Sequence, residues 1–347
     1  MSLDSINLTT TDNTYIIAEM SANHMQDLKR ARQIIAEAKQ AGADAIKIQT
    51  YKPDTLTIDC YGEEFLCTPG SPWEGMNLYE LYKTAYTPWE WHDELFECAK
   101  ENDISMFSTP FDLTAVDFLH KYDMPAFKVA SYEINDIPLI RKIARENKPI
   151  IISTGLATLS DIELAVDTCK SEGNNKIILL KCVSEYPTPY EDINLNTMVN
   201  MKDTFGCTVG LSDHSLGSCV SIAAVALGAK VIEKHFTLSR KDGGADADFS
   251  MEPNEFSKMV EDIRNVEKAI GHTTYKLSDR QKKSRERSRS LYVVKDIQKG
   301  EIFTEENIKS IRPGYGIHTK HYEQILGKRA TENIKKGTAL DWEYIVK

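Results

Sequence analysis

The chain has 347 residues, room for two domains at about 100–200 residues each, or for one α/β barrel of about 250 residues with something added. Hydrophobic residues at 41% and charged residues at 27% are too polar for a membrane protein and too apolar for chain-wide disorder. The net charge of −10 is uneven. Residues 1–280 hold 27 Lys+Arg against 43 Asp+Glu, and residues 281–347 hold 15 against 9. That shift predicts a boundary near residue 280, and the acidic major part argues against nucleic acid as the main partner.

The amino terminus, MSLDSINLTTTDNTY, has neither a basic start nor an apolar stretch, so no secretory signal is expected. No run approaches the ~18 apolar residues of a membrane span. Seven cysteines (Cys60, Cys67, Cys98, Cys169, Cys182, Cys207, Cys219) are odd in number, with no C-x-x-C pair. They are expected to be free, mostly buried thiols in a reducing cytoplasm, not a disulfide scaffold or a thiolate zinc site.

In chain order, short apolar runs predict strands at residues 15–20 (YIIAEM), 45–50 (AIKIQT), 105–110 (SMFSTP) and 126–131 (AFKVAS). Four more follow at 149–155 (PIIISTG), 177–183 (IILLKCV), 207–214 (CTVGLSDH) and 231–237 (VIEKHFT). Amphipathic stretches between and after them, such as 28–41, 88–101, 136–146, 159–171 and 254–270, predict helices. Eight β-then-α units predict a closed (β/α)8 TIM barrel, since parallel strands need covering helices. A doubly wound sheet has the same alternation, but neither G-x-G-x-x-G after the first strand nor G-x-x-x-x-G-K-[ST] is present.

The connection over residues 51–87 is far longer than the ~2–6 residues usual for a βα loop. With Trp73, Tyr79, Tyr82 and Tyr86 it is expected to be a lid or binding wall. Residues 271–290, including RQKKSRERSRS, are expected to be a solvated linker. Residues 291–347, with Lys-Gly and Pro-Gly turns, predict a small, mostly β domain.

Polar residues gather at the carboxyl ends of the predicted strands: Glu19, Lys47 with Gln49, Thr109, Lys128 with Ser131, Ser153, Lys181 with Ser184, Ser212 with His214, and His235. In a (β/α)8 enzyme that is the catalytic face. Lys47 and Lys128 would point into one mouth, where buried ammonium groups are costly unless paired. An anionic ligand, phosphate or carboxylate, is the expected counter-charge. An internal salt bridge with Glu19 or Glu133 and a Schiff-base lysine are the alternatives. His214 and His235 end neighbouring strands, and two neutral imidazoles suit a divalent ion such as Mn²⁺, Co²⁺, Fe²⁺ or Zn²⁺; structural, hydrogen-bonded histidines are the alternative. The lack of an obvious third histidine or cysteine implies open coordination positions. His24, just after the first strand, could also face the site.

The segments IIAEMSANH, GADAIKIQTY, FSTPFD, FKVASYEIND, IISTGLAT, LLKCVSEYPTPY, VGLSDHS, ALGAKVIEKHFTL and RPGYGIH occur in this order. Together they resemble the sialic acid synthase family over nearly the whole chain, including its antifreeze-like (SAF) carboxyl-terminal domain. The resemblance implies residues 1–270 as the barrel, 271–290 as the linker and 291–347 as the SAF domain. Such enzymes condense phosphoenolpyruvate with the open-chain aldehyde of an N-acylated amino sugar, giving a nine-carbon 2-keto acid and phosphate. SANH, KIQTY with PDTLT, and LYELYKTAYTPWEWH point to a branch whose sugar is 2,4-diacetamido-2,4,6-trideoxy-β-L-altropyranose. N-acetylneuraminate or legionaminate synthesis is the near alternative. A non-catalytic carbohydrate- or nucleic-acid-binding protein is the alternative of another class.

The resemblance further implies a divalent metal ion (Mn²⁺, Co²⁺ or Mg²⁺) on His214 and His235, with Glu19 beside its bound water. It implies phosphoenolpyruvate on Lys47, Thr109, Lys128, Ser131, Ser153, Ser184 and Ser212, and the sugar on Gln49, Glu133, Tyr186 and Asp246. Asp246 is placed through GADADFSMEP. Arg312 of RPGYGIH is implied to reach the partner subunit's site in a homodimer, with no nucleic acid and no membrane as partner.

Overall fold

The computed structural model describes residues 13–67 and 73–347. Most of the amino-terminal stretch inspected for a signal, and residues 68–72 of the long connection, lie outside the described residues. Eight parallel strands close into a barrel in chain order: β1 (Tyr15–Glu19), β2 (Ala45–Thr50), β3 (Ser105–Pro110), β4 (Phe127–Val129), β5 (Ile150–Ser153), β6 (Ile177–Lys181), β7 (Thr208–Asp213) and β8 (Val231–His235). β1 pairs with both β2 and β8, which seals the ring and sets Glu19 level with Lys47 on one side and His235 on the other. Val- and Ile-rich runs such as IIIS in β5 are buried on both faces, the pattern of a sheet covered by helices.

Several strands are shorter than their apolar runs suggest. β4 stops at Val129, and Ser131–Glu133 forms a 3₁₀ turn; β1 stops at Glu19, before the Ser21–His24 turn. The chain must bend outward at the rim to reach each covering helix, so Ser131, Ser184 and His214 lie just beyond strand ends. The helical stretch expected over 88–101 divides into a 3₁₀ turn, Trp89–Trp91, and an α-helix, His92–Glu101.

Caps fix where the helices begin. Asp27 accepts from the Lys29 and Arg30 amides at the start of Leu28–Gln40, and Thr158 with Asp161 forms a capping box on Leu159–Ser171. The last barrel helix, Pro253–Ile270, is tied back by Arg264, which donates to Thr14 O at 2.7 Å and pairs with Asp44 at 2.9 Å. Asp44 also accepts from the Ile16 amide at 2.8 Å, so one guanidinium locks the first and last elements together. Gly210 is required where β7 meets β8, since a Cβ there would lie 2.2 Å from Val231 O.

The long connection is more ordered than a bare loop. It carries the helices Pro53–Leu56 and Leu78–Ala85, and Tyr51 packs edge-on against Tyr82 and Phe111 at 5.8 and 5.1 Å.

The chain divides into two compact units, Met1–Gly271 and His272–Lys347, each with its own apolar core. In the second, Ser290–Val293 pairs antiparallel with Ile308–Ile311 around Leu291, Phe303, Ile308 and Ile325. The stretch expected to be an irregular linker contains a helix, Asp279–Arg285. A Ser278–Gln281 capping box and a 2.9 Å Lys282–Asp279 pair offset its like charges. Among the described residues, no helix is long and apolar enough to cross a membrane.

Candidate active site

The carboxyl ends of the strands gather buried charge that an apolar barrel has no packing reason to contain. Glu19 Oε2 lies 2.6 Å from Lys47 Nζ, and Glu233 Oε1 approaches the same nitrogen at 3.6 Å. Lys47 donates to Thr109 Oγ1 at 3.1 Å, and Ser212 Oγ donates to Glu233 Oε1 at 3.2 Å. Lys128 Nζ donates to Val129 O at 2.9 Å and Ser153 Oγ at 2.6 Å, with no carboxylate of the described residues in hydrogen-bonding reach. Two ammonium groups and two carboxylates thus share one dry space.

The two lysines therefore differ. Lys47 has the internal partner weighed as an alternative, namely Glu19. Burial pulls its ammonium down, but Glu19 and Glu233 outweigh that and hold it above its ordinary value. Lys128 has no such contact, and burial pushes its ammonium down. Burial raises the Glu19 carboxyl, against the pull of Lys47 and with the push of Glu233. For Glu233, Lys128 and Lys47 outweigh the opposite effect of burial and hold the carboxylate low.

Beside this cluster three small groups converge. The Gly155 amide donates to Ser131 Oγ at 3.1 Å, and Ser184 Oγ is buried without a hydrogen-bond partner. A Cβ on Gly155 would stand 2.4 Å from Ser184 Oγ and 2.8 Å from Ser131 Oγ, so the backbone leaves a small polar cradle only because no side chain fills it. Cys182 Sγ lies at its edge, 3.8 Å from His214 Nδ1.

His214 and His235 face each other with ring centroids 5.3 Å apart. His214 Nδ1 lies 2.9 Å from Val183 O, so it carries the proton and leaves Nε2 free. His235 Nδ1 is buried without a hydrogen-bond partner, and burial lowers the ring's pKa well below the usual value, keeping it neutral. Burial pulls the His214 ring down, but Cys182 and the Val183 carbonyl outweigh that and hold it above its usual value. A divalent ion would therefore take His214 Nε2 in place of a proton, beside the neutral His235. Among the described residues no group of three or more His, Cys, Asp or Glu is arranged to hold one, so further ligands would be water or substrate.

Over the imidazoles lies an aromatic wall. Tyr186 stands 4.4 Å from His214 and 5.0 Å from Phe249, Phe249 stands 5.0 Å from His235, and Trp73 reaches Tyr186 at 6.0 Å. The Trp73 indole donates to Ala245 O at 3.0 Å, which fastens the long connection to the loop after β8. In that loop Asp246 accepts from the Ala22 amide at 3.3 Å, and burial raises its carboxyl. Gln49 donates to Ser21 Oγ at 3.0 Å and Glu19 Oε1 at 3.4 Å. Glu133 has a buried Oε2 without a partner, and burial pushes its carboxyl up to about 7.

Thus Glu19, Lys47, Gln49, Thr109, Lys128, Ser131, Glu133, Ser153, Ser184, Tyr186, Ser212, His214, His235 and Asp246 all belong to the barrel's carboxyl-end rim. Arg312 belongs to the second unit, where its side chain is exposed. His24 is fully buried, accepts from the Gln26 amide and packs edge-on to Trp91 at 5.6 Å; burial lowers it to about 4. Lys181 donates to its neighbour's carbonyl, Cys182 O, at 2.7 Å. Sequence reasoning passed over Glu233, although it lies two residues before His235 on the same strand face. Gly155 and Phe249, each beside a chosen residue in space but not in spacing, left no such signal.

The NeuB family model matches residues 34–275, and the SAF domain model matches residues 288–346. The chain belongs to the NeuB family. It is similar to the pseudaminic acid synthase of Campylobacter jejuni, with 48% identity over 334 residues covering 96% of this chain and 97% of that protein. It is also similar to the pseudaminic acid synthase of Helicobacter pylori, with 46% identity covering 94% and 96%. Among solved structures, the N-acetylneuraminic acid synthetase of Leptospira borgpetersenii matches with a TM-score of 0.71 and 33% identity, covering 82% of this chain and 94% of that one. The similarity to this NeuB member's relatives thus extends over more than nine-tenths of the chain.

Proposed function

We propose that this chain is a cytoplasmic transferase that makes pseudaminic acid. It would condense phosphoenolpyruvate, water and the open-chain aldehyde of 2,4-diacetamido-2,4,6-trideoxy-β-L-altropyranose, releasing phosphate. The observation that carries the reading is near-full-length identity of 46–48% to two pseudaminic acid synthases, joined to a mouth built for an anion and an aldehyde. We take residues 1–270 as the synthase barrel, 271–290 as the linker and 291–347 as the SAF domain.

Phosphoenolpyruvate carries a phosphate and a carboxylate, which two ammonium groups on different strands can hold in one orientation. Lys128, with Ser153 and the cradle of Ser131, Ser184 and Gly155, suits the phosphate; Lys47, with Thr109 and Ser212, suits the other anionic end. A divalent ion, Mn²⁺, Co²⁺ or Mg²⁺, on His214 and His235 would polarise the sugar aldehyde as a Lewis acid. Carbon 3 of the enol attacks the aldehyde carbon, whose oxygen takes a proton, and positive charge develops at carbon 2. Glu19 then takes a proton from the water that adds at carbon 2. The bond from carbon 2 to the phosphate oxygen breaks last, its electron pair leaving on the phosphate, while the added hydroxyl gives up its remaining proton to the departing phosphate and becomes the keto group. Gln49, Glu133, Tyr186 and Asp246 would hold the sugar, and the wall of Trp73, Tyr186 and Phe249 offers apolar surface to a 6-deoxy carbon. Arg312, exposed on a separate unit, would complete the sugar site of a partner protomer in a homodimer.

The test is phosphate release from phosphoenolpyruvate with each candidate sugar, with the product's mass measured. Turnover with the trideoxy diacetamido sugar alone is expected. Preference for N-acetylmannosamine or the legionaminate precursor would replace the branch, and salt-sensitive RNA binding without phosphate release would replace the class.

A further inference from the structure

Behind the two imidazoles, on the outer face of the barrel, lies a buried ion pair that the chemistry above does not use. Asp213 and Lys234 are direct cross-strand partners on β7 and β8, and each immediately precedes one of the histidines. Asp213 Oδ2 and Lys234 Nζ meet at 2.9 Å, with side-chain exposures of 2% and 1%. The rung before them, Ser212 with Glu233, points inward, so by strand alternation Asp213 and Lys234 point outward and the histidines inward again.

Both oxygens of Asp213 and two of the three donors of Lys234 are engaged. Asp213 Oδ1 accepts from the Ser215 amide at 2.9 Å and from Ser215 Oγ at 2.6 Å, and Oδ2 also accepts from Ser221 Oγ at 2.6 Å. Lys234 Nζ donates to Ser215 O at 2.6 Å. The network therefore grips the residues on both sides of His214 and reaches across to the residue before His235. His214 has a second hold on its own ring through Val183 O, whereas the His235 ring nitrogen Nδ1 has none. The direction of His235 therefore rests on its packing against Phe249 and on its backbone, which is held by the Met251 amide at 2.9 Å, by β1 through the Glu19 rung, and by its neighbour Lys234.

We propose that the Asp213–Lys234 pair is a positioning clamp that keeps His214 and His235 aligned on one shared divalent ion. A buried ion pair gains little over well-packed apolar side chains of similar volume, so stability alone does not account for it. It does fix register and direction, which a two-imidazole site needs more than most because few ligands define it. Groups hydrogen-bonded to metal-binding imidazoles commonly contribute 10–100-fold in metal affinity, and the same scale is expected for a pair that acts on the two rings through their backbone. Asp213 and Lys234 touch neither substrate nor ion in this scheme; they act through the histidines.

The proposal rests on the ion-site reading above, and the experiment separates the two. Mn²⁺ affinity is measured by titration on the full chain for the wild type, H214A, D213L/K234M and S221A, with phosphoenolpyruvate affinity measured without metal. The expected result is tight binding by the wild type and loss in H214A. The folded apolar pair should show a roughly 10–100-fold loss, and S221A a smaller loss in the same direction, with phosphoenolpyruvate affinity within about twofold throughout. No Mn²⁺ binding by the wild type would overturn the ion site itself. Wild-type Mn²⁺ affinity in a folded D213L/K234M protein would overturn the clamp. If that protein does not fold, S221A decides: a loss supports the clamp and unchanged affinity overturns it.

Discussion

Glu19, the last residue of β1, and Lys47, its cross-strand partner within β2, meet at 2.6 Å, both shut off from water, where Glu233 lies 3.6 Å from the same ammonium. Burial is the main reason the Glu19 carboxyl is raised, and the second carboxylate adds to it. Glu233 offsets part of the attraction that Lys47 exerts on Glu19, and with burial it leaves the Glu19 carboxyl above the usual carboxylate range. A carboxylate so placed is a competent base near neutral pH.

Glu19→Gln is therefore expected to lower kcat by about 10²–10⁴-fold, the usual contribution of a positioned base. The wild-type rate should fall as pH drops through the raised Glu19 value, because the base form is lost there. That acidic limb should flatten in Glu19→Gln. Steady-state phosphate release across pH checks both, and an unchanged limb would assign the base elsewhere.

Glu133 supplies a stability prediction. Its folded-state value of about 7 is above that of an exposed carboxyl, so the folded protein favours its protonated form. The stability this gives is complete below the unfolded value and is lost as pH rises through about 7. Glu133→Gln should thus be more stable than wild type at mildly alkaline pH, by about 3 kcal/mol, and should lose the advantage in acid. Urea denaturation at the two pH values measures the difference.

Gly155→Ala would drive a methyl group into the hydroxyls of Ser131 and Ser184. The expected result is a rise of at least tenfold in KM for phosphoenolpyruvate, on the order of 1.4 kcal/mol or more of lost binding. KM for the sugar should change far less. Equal loss for both substrates would mean that the cradle does not hold the phosphate.

Arg312→Ala should weaken sugar use by about tenfold or more, the scale of a lost charge-assisted contact, and leave phosphoenolpyruvate affinity largely intact. Mixing Arg312→Ala protein with Glu19→Gln protein tests the shared site. Recovery of activity in the mixture is expected only if one protomer's arginine serves its partner.

The barrel was legible because parallel strands covered on both sides must be apolar runs, and the polar residues at their ends had no other reason to be there. Lys47, Lys128, His214 and His235 carried that signal. Glu233 did not, since it sits inside a run already counted as strand, and only pairing two-residue spacing with His235 reveals it. Asp213 and Lys234 were hidden for the opposite reason: adjacent to chosen residues, they face the other way, and nothing in one strand's sequence says what the next strand sets beside it. The partner of Lys47 was visible as a choice between carboxylates, and the β1–β2 register decided for Glu19. The helix Asp279–Arg285 was masked by its like charges, which its cap and ion pairing offset locally.

The mixed charge of the mouth makes substrate capture an acid–base event. Burial already raises the Glu19 carboxyl, and an anion such as phosphoenolpyruvate held beside it would raise it further, so loading the site is expected to draw a proton from the surrounding solution. The heat of that first encounter would then depend on which buffer gives the proton up, and the enzyme's grip on phosphoenolpyruvate would weaken as the medium turns alkaline.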